Sequence, residues 1–175
     1  MKVLRVFYLG VLVLLNGSVH AAEPYGGVDD ANYAFDLWQT MIDAGFAGPG
    51  SLMSRPYLGQ HPHGAILDTF EAQIAVDGQL HTIIVKRNYG GEEVSISNVS
   101  NDPTKYLKAI SVMLKRPGYD PENGDWFWVN YKPDGSIETN SAGTMLAGKV
   151  GKGEPEGCIA CHNAAPGNDM MFLRD

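Results

Sequence analysis

Five residues near the end of the chain, Cys158-Ile159-Ala160-Cys161-His162, restrict its possible folds more than any other stretch. They contain both of its cysteines. Two residues between the thiols close too small a loop for a useful disulfide staple, and the adjacent histidine needs an explanation of its own. C-x-x-C-H is the attachment pattern of c-type haem. The two thiols add to the haem vinyl groups as thioethers, and the next residue offers an imidazole nitrogen to the iron as proximal ligand. Three other readings compete. A thioredoxin-like redox pair belongs near a strand–helix unit of a βαβ pattern, which is not found here. A zinc site needs four ligands, and there is no second C-x-x-C. A bare disulfide leaves His162 without a role.

The start of the chain supports the haem reading. Lys2 and Arg5 precede the apolar run Val6–Leu15, and Val19-His20-Ala21 has the small-x-small form of a cleavage site. Met1–Ala21 is therefore expected to be a secretory signal peptide. The run is shorter than the roughly 20 apolar residues that span a bilayer, so no membrane span is expected after cleavage. Covalent haem attachment occurs outside the cytoplasm, and a periplasmic location follows as an expectation. The remaining residues 22–175 have the size of one domain. The formal charge is −7; the leader holds two of the thirteen basic residues and no acidic one, so the remainder carries −9. No basic cluster longer than a pair occurs, which tells against a nucleic-acid partner. An acidic surface instead suits steering toward a basic redox partner, such as another cytochrome.

Patterning places one helix ahead of a run of strands. Asp29 or Asp30 can cap a helix over about Ala31–Ala44, with Ala34, Phe35, Trp38, Met41 and Ile42 on one face. After the Gly- and Pro-containing loop 45–62 the period changes to two. Ile66, Asp68, Phe70, Ala72, Ile74 and Val76 share one face of a strand over Ala65–Val76, and Asp77-Gly78 reads as a hairpin turn into a second strand, Leu80–Arg87. Val94–Val99, Ala109–Leu114 and Asp125–Tyr131 read as further strands, and Pro133-Asp134-Gly135 turns the chain into Ser136–Thr139. Cys158–Ala164 is expected as a short helix under the haem. The class is α+β: an antiparallel β-sheet with packed helices and haem c attached near the C-terminus.

Several of these segments together resemble the cytochrome P-460 family. They are Gly118-Tyr119-Asp120-Pro121-Glu122-Asn123-Gly124-Asp125-Trp126-Phe127-Trp128, and Gly157–His162 followed by Gly167-Asn168-Asp169 and an apolar pair. Ile83-Ile84-Val85-Lys86-Arg87-Asn88-Tyr89 is similar to the family's lysine-bearing strand, and His63-Gly64 to the start of its first sheet segment. The elements occur in family order over about 63–173. The resemblance implies a homodimer with one five-coordinate haem c. In cytochrome P-460 a lysine also bonds to the porphyrin edge, and the protein oxidises hydroxylamine to nitrous oxide or nitric oxide. The sister group, cytochrome c′-beta, lacks that bond and binds nitric oxide or carbon monoxide in a hydrophobic distal pocket. A fold shared by an enzyme and a gas binder does not decide between them; a plain electron carrier is the third reading.

Candidate residues follow. Cys158, Cys161 and His162 would hold the haem. Lys86 is the candidate cross-link; period two places it with Ile84 and places Arg87 with Val85, so one of these cations shares a face with apolar residues. Its bland reading is an edge or snorkelling lysine. Lys105, Lys108 and Lys115 are weaker candidates. Hydroxylamine oxidation releases protons, so a carboxylate base would help. The family places an acid shortly after the proximal histidine; here Asp169 is the first. The family usually has an arginine in the strand after His63-Gly64; here Asp68 and Glu71 stand, as candidate bases or as a solvated strand face. Phe70 would shape the distal pocket or pack in the core. The Trp126-Phe127-Trp128 run reads as core and dimer surface. Met113, Met145, Met170 and Met171 are conceivable sixth ligands, and His61-Pro62-His63 is either a metal-binding pair or, as loop histidines usually are, simply exposed.

Overall fold

The two longest alternating segments fold as one hairpin. Strands β2 (Ile66–Val76) and β3 (Gln79–Tyr89) pair antiparallel along their whole length. Asp77 and Gly78 join them with φ of 51° and 76°, the two positive values that a two-residue type I′ turn requires. The computed structural model describes residues 25–166 and 169–172. The expected leader, 1–21, lies outside the described residues, as do Gly167 and Asn168.

The hairpin is the centre of a six-stranded sheet whose strands neighbour one another in chain order. The others are β1 (Tyr57–Leu58), β4 (Leu107–Lys115), β5 (Trp126–Tyr131) and β6 (Ala147–Gly148). Every pairing is antiparallel. This is the α+β class expected from the period-two segments. The register lines up Thr69, Lys86, Ser111 and Asn130 in one cross-strand row, and Glu71, Ile84, Met113 and Trp128 in the next. Side chains alternate along a strand, so these eight share one face and their neighbours share the other.

Helix α1 (Val28–Asp43) covers that other face. It starts three residues earlier than expected, from Gly27, with no side-chain cap. Asp29 and Asp30 lie in its first turn, where negative charge suits the helix dipole. Ala31, Ala34, Leu37 and Met41 are buried against Val85, Val112, Phe127 and Tyr131. A buried side chain of the size of Leu37 or Met41 stabilises the fold by about 1.5–3 kcal/mol. Phe35 and Ile42 were expected on this face, but they are 50% and 38% exposed. Each lies one residue, about 100°, round the helix from the stripe that meets the sheet.

Two further expectations change. Val94–Val99 is not a strand. Ser95 Oγ accepts the Asn98 N–H at 3.1 Å and starts helix α2 (Ile96–Asn101); the cap outweighs the β-branched residues. Helix α3 (Pro103–Tyr106) then leads into β4. Trp126, Phe127 and Trp128 are all buried within the single chain, so they form core rather than dimer surface. Phe127 belongs to the α1-side cluster, and both tryptophans to a second cluster on the opposite face. No helix of the described residues is long and apolar enough to cross a membrane.

Candidate functional site

The C-x-x-C-H residues form helix α4 (Cys158–His162), docked on the face of the sheet that α1 leaves open. Ile159 anchors it by burial in the cluster that contains Ile84, Met113, Trp126 and Trp128. The approach is tight at Gly151 and Gly157, whose φ values are 76° and 130°. A Cβ on either would lie 3.0 Å from the other's Cα. Both cysteines are free thiols. Burial raises the pKa of the Cys158 thiol, which keeps it protonated at neutral pH.

His162 is buried and oriented. Its Nδ1 lies 2.6 Å from the main-chain oxygen of Met170. A carbonyl only accepts, so Nδ1 carries the proton and Nε2 keeps its lone pair, the arrangement typical of a metal-ligating histidine. Burial pushes the His162 pKa down and favours the neutral ring. Its ring packs against Trp128 at 4.9 Å and Phe172 at 5.4 Å between centroids.

In front of His162 lies a cavity of about 610 Å³, well within the range for bound cofactors and ligands. Its floor is the two cross-strand rows named above; Cys158, His162, Met171 and Phe172 wall one side, and Tyr57, His63 and Gly64 another. Lys86 belongs to this floor. Its ammonium has no ion pair or hydrogen-bond acceptor among the described residues. Burial lowers its pKa, because desolvation disfavours the charged form.

The proposed acids separate. Glu71 lines the cavity and is exposed. Asp68 points to the α1 face, 0% exposed. It accepts from Arg87 Nη1 at 3.1 Å, from the Tyr89 hydroxyl at 2.6 Å and from the Ser54 N–H at 3.2 Å. With three donors on its carboxylate and the sheet between it and His162, Asp68 is a structural ion-pair partner and not a proton relay. Asp169 is also misplaced for that role: its main-chain oxygen accepts the Trp126 indole N–H at 2.9 Å, and its side chain is exposed beside the Met171 N–H. Phe70 shares the face of Asp68. Its ring meets Phe46 edge-on at 5.3 Å in the α1-side core, and the residue is also among those that line the cavity. Cys161 is exposed, and only Cys158 of the pair lines the cavity. Lys108 is on the wall, whereas Lys115 stacks over Trp126 and Lys105 over Tyr106. Met113 and Met171 line the cavity; Met145 packs with the α1-side core.

Sequence reasoning missed two residues. His63 reads from the sequence as an exposed loop residue, yet it is half-buried and lines the cavity, 6.3 Å from the His162 ring. Burial first, and the Lys86 charge second, lower its pKa to about 4. Glu138 also lines the cavity and ends a polar chain across its floor. Asn88 Nδ2 donates to Ser111 Oγ at 3.0 Å, Ser111 Oγ to Asn130 Oδ1 at 2.8 Å, and Asn130 Nδ2 to Glu138 Oε2 at 3.0 Å. The turn at Pro133-Asp134-Gly135 signals that the chain returns beside β5, and this was the one available clue to Glu138.

The residues fit a haem. His162 offers a nitrogen lone pair, two thiols lie one helical turn apart at its side, and Ile84, Met113 and Leu146 supply apolar wall. Among the described residues Trp128 carries the one fully buried side-chain donor without an acceptor, its indole N–H. Such an orphan is costly, and an acceptor oxygen of a bound group would answer it.

An antiparallel sheet bearing this site defines a haem-binding cytochrome. The chain belongs to the cytochrome P460 family, whose model, Cytochrome P460, matches residues 69–173, more than half of its length. The comparisons with curated proteins and with solved structures found no match.

Proposed function

We propose that this cytochrome carries one covalent haem c and oxidises hydroxylamine, in the periplasm, to nitrous oxide or nitric oxide. The observation that carries this reading is Lys86: a half-buried amine without an acceptor among the described residues, on the floor of the cavity that His162 and Cys158 also line. Its lowered pKa enriches the neutral, nucleophilic form that bond formation at a porphyrin edge would use. Cys158 and Cys161 would hold the haem as thioethers, and His162, fixed through Met170, would ligate its iron. When bound, the haem supplies the one-electron redox chemistry.

The chain's own residues do the rest. Hydroxylamine gives up protons with its electrons, and Glu71 and Glu138 are the carboxylates on the cavity wall that can take them. Electrons would pass to another cytochrome, and the acidic surface would steer a basic partner toward the protein. A homodimer is proposed on the resemblance. The apolar patch of Ile84, Met113, Leu146 and Val150 favours a second reading, a c′-beta-like protein that binds nitric oxide or carbon monoxide without turning it over.

The visible spectrum of the haem-loaded protein tests the choice. A reduced Soret band far to the red of ordinary haem c, lost in Lys86→Ala, with hydroxylamine-dependent reduction of an electron acceptor, is the expected result. An unshifted band that changes on adding nitric oxide would leave the gas-binding reading.

A further inference from the structure

Residues 169–172 belong to no helix or strand, yet they hold the imidazole ring that would meet the iron. Among the described residues no main-chain hydrogen bond ties this segment to the sheet. Two bonds from side chains fix it instead. The Asp169 main-chain oxygen accepts the Trp126 indole N–H at 2.9 Å. The next oxygen along the chain, that of Met170, accepts from His162 Nδ1 at 2.6 Å. Met170 stands between them at φ 61°. A residue other than glycine keeps that left-handed conformation only where its surroundings impose it. Here the Met170 side chain is buried in the cluster of Trp126, Trp128 and Ile159, and the turn presents its carbonyl to His162.

Trp126 is a firm post for this turn. It is 2% exposed, it sits opposite Lys115 in the β4–β5 register, and the Lys115 ammonium lies 4.5 Å from its ring centre. The indole thus passes the position of the sheet to Asp169, and the Met170 carbonyl passes it to the imidazole. A carbonyl that accepts from Nδ1 orients the ring and makes it a stronger donor through Nε2. Hydrogen bonding of this kind is one of the levers a protein has on haem potential. Trp128, two residues on, touches the His162 ring itself but finds no acceptor among the described residues, so the two tryptophans have different tasks.

We propose that Trp126 is a positioning residue for the haem. Through the Asp169–Met170 turn its N–H holds the carbonyl that orients His162 and strengthens it as a ligand, and so it sets how readily the iron takes electrons from a substrate. The inference rests on the reading of His162 as proximal ligand and does not depend on Lys86.

The test separates the donor from the bulk of the indole in the full-length, haem-loaded protein. Trp126→Phe keeps an aromatic ring and removes the N–H. Trp126→His removes the second ring and keeps a ring N–H the same number of bonds from Cα. Resonance Raman of the ferrous form reads the iron–histidine stretch, and potentiometry reads the reduction potential. Trp126→Phe should lower the stretching frequency and move the one-electron equilibrium about threefold to tenfold toward the ferrous form, roughly 30–60 mV. Trp126→His should keep the wild-type stretch while unfolding at a lower urea concentration. An unchanged stretch in Trp126→Phe overturns the proposal and leaves Trp126 as core. If Trp126→Phe does not fold, Trp126→His decides: the wild-type frequency upholds the proposal and a lowered one overturns it. A ferrous wild-type protein with no iron–histidine band overturns it together with the reading of His162 as ligand.

Discussion

Asp68 and Arg87 meet at 3.1 Å on the helix-covered face of the sheet, while Lys86, the residue before Arg87, turns to the cavity on the other face. The two cations on β3 therefore have separate tasks. Arg87 is 4% exposed and is also held by the Phe46 oxygen and Ser51 Oγ. Removing its counter-ion leaves a buried charge unpaired. Asp68→Ala is expected to cost about 3–5 kcal/mol, measured as the drop in unfolding free energy in urea. A loss below about 1 kcal/mol would show that Arg87 finds other compensation.

Stability should fall with acid, and His63 should account for part of the fall. Its folded pKa is about 4 against 6.5 for a free histidine. Above pH 6.5 both folded and unfolded chains hold the neutral ring, and nothing changes. Between 6.5 and 4 the unfolded chain takes up a proton that the folded chain refuses, so stability drops as pH drops, and the loss is complete below about 4. His162, whose pKa is also lowered by burial, acts in the same direction. Calorimetry of the haem-free protein from pH 7 to 4 should show a falling midpoint and a shallower fall in His63→Gln. Parallel profiles would mean that His63 ionises freely in the folded state.

Asp169 and Glu71 should part company in kinetics. The Asp169 carboxylate lies outside the cavity, and the contact its residue makes with Trp126 uses the main chain. Asp169→Asn should leave hydroxylamine turnover within about twofold. Glu71→Gln should lower kcat by about a hundredfold or more if the carboxylate takes a proton in the rate-limiting step. The opposite ranking would return the relay to the C-terminal segment.

Much of this site was legible because strands alternate. Period two alone put Asp68 and Phe70 on one face, and the hairpin register then sets Asp68 opposite Arg87. Read together, these two facts already assign Asp68 to an ion pair. The C-x-x-C-H helix was legible from its own chemistry. His63 was not, because a loop has no period; its place depends on Gly64 lying against Tyr89, a contact 25 residues away in the chain. Val94–Val99 misled because its β-branched composition hid a single capping serine, Ser95. The α1 face was legible in part: Ala34 and Met41 are buried as expected, while Phe35 and Ile42 were preferred for their bulk to Ala31 and Leu37, which complete the stripe.

The polar chain on the cavity floor should behave as one unit. Its hydrogen bonds run in one direction, from Asn88 through Ser111 and Asn130 to the Glu138 carboxylate. Each donor polarises the next, and the half-buried setting strengthens the effect. Ser111→Ala removes the central hydroxyl. Asn130 Oδ1 then loses the donor that Ser111 supplied, while Asn88 Nδ2 keeps the main-chain oxygens of Lys86 and Ala109. The expected cost is about 0.5–1.5 kcal/mol, the net worth of one hydrogen bond, because Asn130 is half-buried and lines the cavity. Asn130→Ala breaks the chain on both sides. If the chain is cooperative, the double variant should lose less than the sum of the two single losses, with a coupling energy of at least about 0.5 kcal/mol. Urea unfolding of the four proteins in that cycle measures it, and additive losses would reduce the chain to three independent contacts.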